Sequence, residues 1–122
     1  MTVTFDSSAW IEYFSGSELG RVVKGYVDSE DTIYTPAIGL MEIKAKYLRE
    51  NKKWKNRIEF IIERSLVADI DSKNALLAAD LRQDFGLHSI DAIIMAVSKT
   101  MKSKLLTKDR HFKGLEDVIM LE

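Results

Sequence analysis

Met1-Thr-Val-Thr-Phe-Asp-Ser-Ser-Ala-Trp10 combines two kinds of local structure within ten residues. The segment 2–5 is β-branched or aromatic throughout, a composition typical of a short strand. Asp6 ends this run, and the two residues that follow it, Ser7 and Ser8, are of a type that caps helices. The segment therefore predicts a strand that turns directly into a helix, with the Asp6 carboxylate at the turn.

The same alternation of strands and helices continues along the chain. Short β-branched or apolar runs predict further strands at 31–34, 66–68, 104–107 and 118–121. Apolar residues at helical spacing predict helices within 10–14, 19–27, 35–48, 54–64, 72–86 and 88–97. Strands separated by helices form a parallel sheet with helices on both faces. We therefore predict an α/β, three-layer fold with a mostly parallel sheet of four to five strands.

Two of these helices have specific start signals. Thr35 is predicted to cap a helix that has Pro36 at its first position, and Ser72 is predicted to cap a later one. The helix after Thr35 carries apolar residues at spacings of three and four, which predicts its core face. These residues are Ile38, Met41, Ala45 and Leu48.

Length and composition limit the class of protein. A chain of 122 residues has room for one hydrophobic core, so we expect a single domain over residues 1–122. The longest strictly apolar run, 92–97, is far shorter than the about 18 residues that suggest a membrane span. No signal-peptide pattern is present, and without cysteine there is no disulfide or thiolate site. We therefore expect a cytoplasmic protein with no membrane partner.

Four acidic residues from separate segments are candidates for one site. Ligands of open parallel sheets bind outside the carboxyl ends of the strands, where Asp6 and Asp109 are predicted to lie. Asp91 is predicted in the first turn of one helix, and Glu42 about two turns into another. We therefore predict that the four carboxylates converge at one edge of the sheet.

Three of these acids also have purely structural interpretations. Asp6 is suited to cap a helix, Asp91 to interact with a helix dipole, and Asp109 to form a turn. Glu42 has no such interpretation, because its apolar neighbours in sequence require its carboxylate to be paired, metal-bound or at a cavity. Gly39, three residues earlier, is expected to leave space beside it.

Positive charge is concentrated in two segments, although the net charge is only −1. Residues 44–57 contain seven of the 18 basic residues, and residues 99–113 contain six. Two interpretations remain open: these are solvated helix faces, or they are flanks that hold a phosphate backbone beside the acidic centre. In the second interpretation the candidate RNA-binding residues are Lys52, Lys53, Lys55, Lys108 and Arg110.

Four segments together resemble the PIN-domain pattern, and most of all the VapC-type toxins of type II toxin–antitoxin systems. They are DSSAWIEYF (6–14), TPAIGLME (35–42), SIDAIIMA (89–96) and LLTKDRHF (105–112). The resemblance covers essentially the whole chain and implies a PIN-like fold. It implies that Mg²⁺ or Mn²⁺ is held at an RNA-cleaving site by Asp6, Glu42, Asp91 and Asp109. Ser7 and Thr107 would support this site.

The predicted function is therefore a metal-dependent ribonuclease, the toxin of a toxin–antitoxin pair, that hydrolyses RNA phosphodiester bonds. Carboxylates suit this chemistry, because Mg²⁺ prefers oxygen ligands and a divalent ion activates water and neutralises phosphate charge. His88 and His111 are interpreted as cap or surface residues rather than as a general base. VapC-like domains commonly pair, so we also expect a homodimer whose first helices bind an antitoxin segment. Candidate surface residues are Trp10, Tyr13, Phe14, Trp54 and Met101. Helical spacing places most of them in the core, and those left exposed would form the contact patch.

Three alternatives to this function differ in how well the sequence fits them. A receiver-like phospho-acceptor domain requires adjacent acids after the first strand, and a haloacid-dehalogenase-like phosphatase requires Asp-x-Asp there. Two serines follow Asp6 instead. A catalytically silent PIN-like RNA-binding or regulatory module would carry the same residues, so this alternative stays open.

Overall fold

Strands and helices alternate along the whole chain in the computed structural model, which describes residues 1–122. The strands are β1 (Thr2–Phe5), β2 (Thr32–Pro36), β3 (Leu66–Ala68), β4 (Lys104–Thr107) and β5 (Val118–Met120). The helices are α1 (Ser7–Ser15), α2 (Glu18–Val27), α3 (Ala37–Arg49), α4 (Lys55–Arg64), α5 (Ser72–Phe85) and α6 (Ser89–Thr100). A short 3₁₀ turn, Arg110–Phe112, lies between β4 and β5.

All five strands form one parallel sheet in the order β3-β2-β1-β4-β5. β1 pairs with β2 on one side and with β4 on the other, so that Val3 lies opposite both Ile33 and Lys104. The carboxyl ends of these three strands therefore lie side by side at one edge of the sheet. The arrangement confirms the predicted α/β fold with a parallel sheet of four to five strands.

Helices cover both faces of the sheet, because the side chains of each strand alternate between two buried clusters. Leu106 belongs to a cluster that includes residues of α1, α2, α3 and α4, whereas its neighbour Leu105 belongs to a cluster with residues of α5 and α6. Both leucines are fully buried. A parallel sheet enclosed in this way requires strands that are apolar on both faces, as this pair of leucines illustrates.

Trp10 anchors α1 to the sheet. Its side chain is fully buried, and its ring lies 4.8 Å from that of Phe5. The indole N–H donates to the Thr35 hydroxyl at 3.0 Å, and that hydroxyl also hydrogen-bonds with Ser65 at 2.7 Å. A buried indole N–H needs such an acceptor. Thr35 is therefore part of β2, and its hydroxyl does not cap a helix. The prediction that Thr35 caps α3 is wrong, because α3 begins at Ala37.

The start of α5 also differs from the prediction. Asp71 caps this helix and forms reciprocal hydrogen bonds with Asn74, with the backbone N–H of each residue donating to the side chain of the other. Ser72 is the first helical residue rather than the cap. The reciprocal pair satisfies two backbone donors at once, which a single serine hydroxyl does not do.

The buried face of α3 is not the predicted one. Met41 is 52% exposed and Leu48 is 58% exposed, whereas Gly39, Ile43 and Tyr47 are buried. Apolar side chains occur around most of the circumference of α3, so their spacing alone did not identify the side that packs on α1 and the sheet.

The aromatic candidates for a dimer surface lie largely in the core, as their helical spacing predicted. Trp10 is fully buried, and Tyr13, Phe14 and Trp54 are partly buried against the same cluster. The large apolar side chains that do face solvent include Met41, Leu48, Leu76 and Phe85. None of the six helices has the length and apolar character that crossing a bilayer requires.

Gly20 lets α2 approach α1 closely, which a substitution can test. A Cβ atom at this position would lie 2.2 Å from the backbone oxygen of Glu12, so Gly20→Ala must displace one of the helices. We expect it to lower the free energy of unfolding by about 1–3 kcal/mol, measured by urea denaturation. Gly25→Ala is the matched control in α2, because no atom lies within 4 Å of its Cβ position. The control should stabilise the protein by about 0.5–1 kcal/mol, and equal effects of the two changes would contradict this account.

Candidate active site

Asp6 lies at the carboxyl end of β1 and caps α1. Its Oδ1 accepts hydrogen bonds from the backbone N–H of Ala9 at 3.1 Å and from the Ser8 hydroxyl at 2.6 Å. Its Oδ2 accepts one from the Thr107 hydroxyl at 2.5 Å. Asp6 is only 4% exposed, and burial raises the pKa of its carboxyl despite these three hydrogen bonds. The capping role is therefore present, and it holds the carboxylate at the edge of the sheet.

Thr107, the last residue of β4, connects two of the acids. It is fully buried, and its hydroxyl donates to Asp6 while it accepts from the backbone N–H of Asp109 at 2.9 Å. One hydroxyl can make both bonds, since it has one donor hydrogen and two acceptor lone pairs. The β1–β4 pairing thus brings Asp6 and Asp109 to the same end of the sheet.

Glu42 projects from α3 into the same region. Burial is the main reason that the pKa of its carboxyl is raised, and the negative charges of the other three candidate acids raise it further. The nearby Ser7 side chain offsets part of this effect. Its Oε1 is nevertheless buried without a hydrogen-bond partner. A buried carboxylate oxygen without a hydrogen-bond partner costs free energy unless a ligand supplies a partner.

Asp91 and Asp109 complete the cluster. Asp91 lies in the first turn of α6, and the pKa of its carboxyl is raised by burial and by the charge of Asp109. Asp109 caps the 3₁₀ turn, where its Oδ1 accepts from the backbone N–H of His111 at 2.9 Å. The Nδ1 atom of the same histidine lies 2.8 Å from Asp109 Oδ1 and 3.8 Å from Asp91 Oδ2. The four acids therefore come from four separate elements and interact electrostatically.

The two serines after Asp6 have different roles. Ser8, which was not among the predicted site residues, hydrogen-bonds with Asp6 and accepts from the backbone N–H of Lys108 at 2.9 Å. Ser7 lies near Glu42 and lowers the pKa of that carboxyl. The only atom within 4 Å of the Cβ position of Gly39 is the Ser7 backbone nitrogen, at 4.0 Å, so there is open space at this position. That Gly39 makes room for the Glu42 carboxylate stays a prediction.

The acidic cluster has no lysine or arginine to balance its charge. Among the ion pairs of the chain, only the His111 imidazole contacts any of the four acids. Carboxyl groups that repel one another in a partly buried site favour the bound state of a cation. A divalent cation would supply the missing positive charge and a partner for the Glu42 oxygen, and oxygen ligands suit Mg²⁺ or Mn²⁺. The residues present therefore fit such an ion.

The predicted RNA-binding residues do not form one group. Lys108 is ion-paired with Glu12 of α1, with Nζ and Oε1 2.5 Å apart, and this contact lowers the pKa of the Glu12 carboxyl. Arg110 is exposed in the 3₁₀ turn next to Asp109. The other three predicted residues line an open cleft of about 980 Å³ around the start of α4. They are Lys52, Lys53 and Lys55.

Two residues near the acids were missed or underestimated in the sequence. Glu12 gave no local signal, because only the packing of α1 beside the end of β4 brings it to Lys108. His111 was interpreted as a surface residue, yet its ring contacts Asp109. Its position two residues after a candidate acid was the available signal.

Solved structures with the same fold include several toxin–antitoxin proteins. A toxin–antitoxin complex from Klebsiella pneumoniae is 22% identical, with coverage of 98% of each chain and a TM-score of 0.81. VapBC2 from Rickettsia felis, bound to a DNA fragment from its promoter, is 16% identical over 98% of this chain and 97% of that chain, with a TM-score of 0.77. VapC20 from Mycobacterium tuberculosis, a sarcin–ricin loop cleaving toxin, is 15% identical over 98% of this chain and 99% of that chain, with a TM-score of 0.75.

Sequence identities at this level show similarity of fold. Comparison with curated protein sequences gives no match. The PIN domain family, in contrast, matches residues 3–118. The match includes all four acids and every strand that positions them, and the chain belongs to the PIN domain family.

Proposed function

We propose that this protein is a metal-dependent ribonuclease that hydrolyses RNA phosphodiester bonds at the site formed by Asp6, Glu42, Asp91 and Asp109. The observation that carries the proposal is the buried, unpartnered Oε1 of Glu42 among three other carboxylates. Holding four carboxylates together without a cation costs the folded chain free energy, so stability does not explain this arrangement. A functional requirement for the cation is the simplest explanation.

In this proposal the four carboxylates would hold Mg²⁺ or Mn²⁺, which would activate water and neutralise phosphate charge. The side chains around the acids fix the orientation of these carboxylates. Ser8 and Thr107 hold both oxygens of Asp6 by hydrogen bonds, so that this carboxylate keeps one orientation before a ligand binds.

RNA as the substrate is supported by two independent features. The fold is similar to that of VapC20, which is named as a sarcin–ricin loop cleaving toxin. The chain also presents exposed lysines around the start of α4, and basic side chains of this kind bind a phosphate backbone. Lys108 is held by Glu12, so its contribution to RNA binding requires that this ion pair opens.

The same similarity supports a toxin of a toxin–antitoxin pair that is bound by an antitoxin protein, since the solved relatives include toxin–antitoxin complexes. We also propose that the chain forms a homodimer. Exposed apolar side chains on one helix, Met41 and Leu48, provide a surface that a second copy would cover.

Replacement of Asp6 by Asn separates a functional carboxylate from a structural one. Asn keeps the capping oxygen, and its amide can donate to the Thr107 hydroxyl, so Asp6→Asn should fold. Without metal it should be at least as stable as the parent, because one negative charge has been removed from the cluster. Mg²⁺ should stabilise it less than the parent in thermal melts, and cleavage of purified ribosomal RNA should fall at least about 100-fold.

Asp71→Asn is the matched control for this experiment, because Asp71 caps α5 and has no contact with the cluster. The control should change neither metal response nor cleavage. Cleavage by Asp6→Asn at the parent's rate would show that the four-carboxylate mechanism is wrong.

The pH dependence of stability tests the raised pKa values. A carboxyl whose pKa is raised by folding binds its proton more tightly in the folded state. Its protonation therefore stabilises the fold at pH values below the raised pKa, and this stabilisation is lost as pH rises through that value. Metal-free Glu42→Gln should thus be more stable than the parent near pH 7, and the difference should vanish as the pH falls to about 4, where Glu42 is itself protonated.

Urea denaturation of the two proteins in EDTA across this pH range measures the difference directly, and the contributions of groups outside the acidic cluster cancel. The stabilisation of the parent by Mg²⁺ should decrease over the same range, since protons compete for the ligands. A stability difference that is constant with pH would contradict the raised pKa of Glu42.

Charge reversal in the basic segment tests RNA contact. If Lys52, Lys53 and Lys55 neutralise phosphates, their combined replacement by Glu should weaken RNA binding. It should also reduce the slope of log K against log salt concentration by about two, as expected for three lost contacts to a single strand. A triple replacement at Arg21, Lys24 and Lys73 makes the same change in net charge elsewhere on the surface. The salt slopes are measured by fluorescence anisotropy. Equal slopes for the two triple variants would show that the segment is a solvated surface and does not contact RNA.

A further inference from the structure

His111 stands at the edge of the acidic cluster, and its role is not explained by packing. Its side chain is 64% exposed, and the only carboxylates that its ring reaches are those of Asp109 and Asp91. The next residue, Phe112, is buried and anchors the 3₁₀ turn. The backbone N–H of His111 also donates to Asp109. The turn therefore holds the imidazole beside two of the candidate metal ligands.

The distances in this group match the spacing of ligands around one ion. Asp91, Asp109 and His111 each offer one ligand atom, and these atoms all lie within 4.8 Å of one another. Ligands about 2.1 Å from an octahedral ion lie roughly 3 Å apart when adjacent and roughly 4.2 Å apart when opposite. The His111 Nδ1 atom is 2.8 Å from the Asp109 oxygen, near the spacing of adjacent ligands, and 3.8 Å from the Asp91 oxygen, between the two spacings.

We propose that His111, through Nδ1, is a direct ligand of the metal ion together with Asp91 and Asp109, and that this nitrogen makes the site prefer a first-row transition-metal ion to Mg²⁺. The inference rests on the proposed function, in that it concerns the same metal site. It adds a ligand that the four-carboxylate account lacks, and it specifies the class of metal.

The preference follows from ligand chemistry. Mg²⁺ is a hard ion that takes oxygen ligands and keeps several waters, so it gains little from an imidazole. Imidazole nitrogen binds more strongly to ions such as Co²⁺, and the affinity of a mixed site rises along the first-row series from Mn²⁺ to Cu²⁺. In a neutral imidazole one ring nitrogen carries the proton, and the lone pair of the other is available for a metal bond.

His88 provides an internal control. Its ring lies 5.6 Å from that of His111 in an edge-on arrangement, and it forms no ion pair with the acids. Replacing either histidine by glutamine removes an imidazole from the same surface. Only the replacement of His111 should affect the metal.

Calorimetric titration of the folded protein with MgCl₂ and CoCl₂ near neutral pH measures the preference. The parent and His88→Gln should bind Co²⁺ more tightly than Mg²⁺. In His111→Gln the Co²⁺ affinity should fall by about 10- to 100-fold, the range of losses that follow removal of groups supporting a metal site. The Mg²⁺ affinity should change several times less, so that the ratio of the two affinities decreases.

A spectroscopic measurement distinguishes a ligand from a residue that only orients Asp109. High-spin Co²⁺ shifts the ring protons of a directly bound imidazole far outside the usual range of the proton NMR spectrum. One such set of signals should be present in the parent and in His88→Gln and absent in His111→Gln. If the signals are absent from the parent, or if His111→Gln weakens Mg²⁺ and Co²⁺ equally, the inference is wrong and His111 only positions Asp109.

Failure of this inference differs from failure of the proposed function. A parent that binds both ions through carboxylates alone, and cleaves RNA, overturns the role of His111 and leaves the ribonuclease intact. A parent that binds neither ion overturns both.

Discussion

The hydrogen bond from the Thr107 hydroxyl to the Asp6 carboxylate joins the two adjacent strands at the edge of the sheet where the acids meet. Asp6 also caps α1, and Thr107 also accepts from the backbone of Asp109. One carboxylate thus connects the register of β1 and β4, the start of a helix and the turn that carries the next acid. Because Asp6 is buried, these partners must be present in the folded chain, and the geometry of the site is therefore formed before any ligand binds.

The acidic cluster places charge repulsion next to a well-packed core. In α3, Ile43 is fully buried in the core, whereas its neighbour Glu42 faces the other acids with one unpartnered oxygen. The repulsion is tolerated because apolar clusters on both faces of the sheet stabilise the fold independently of the site. In the proposed function, binding of a cation would relieve this repulsion, and the free energy recovered would contribute to the affinity for the ion.

The order of elements could be predicted because it depends on local patterns. Val3 and Phe5 alternate with threonines in β1, and Leu105 and Leu106 form an apolar pair in β4, as strands buried on both faces require. Thr35 could not be interpreted correctly, because its hydroxyl is used by Trp10 and Ser65, which are distant in sequence. The same reason applies to the core face of α3, which is selected by what packs against it.

The sequence by itself determined which residues are available for the site: one acid after each of two strands, and two more on helices. These positions follow from strand ends and helix starts, and both are local features of the chain. Only the tertiary structure decided that Ser8 rather than Ser7 holds Asp6, that Lys108 is paired with Glu12, and that His111 lies against Asp109. Those contacts depend on directions and distances of a few ångströms between packed elements, which a one-dimensional pattern does not contain.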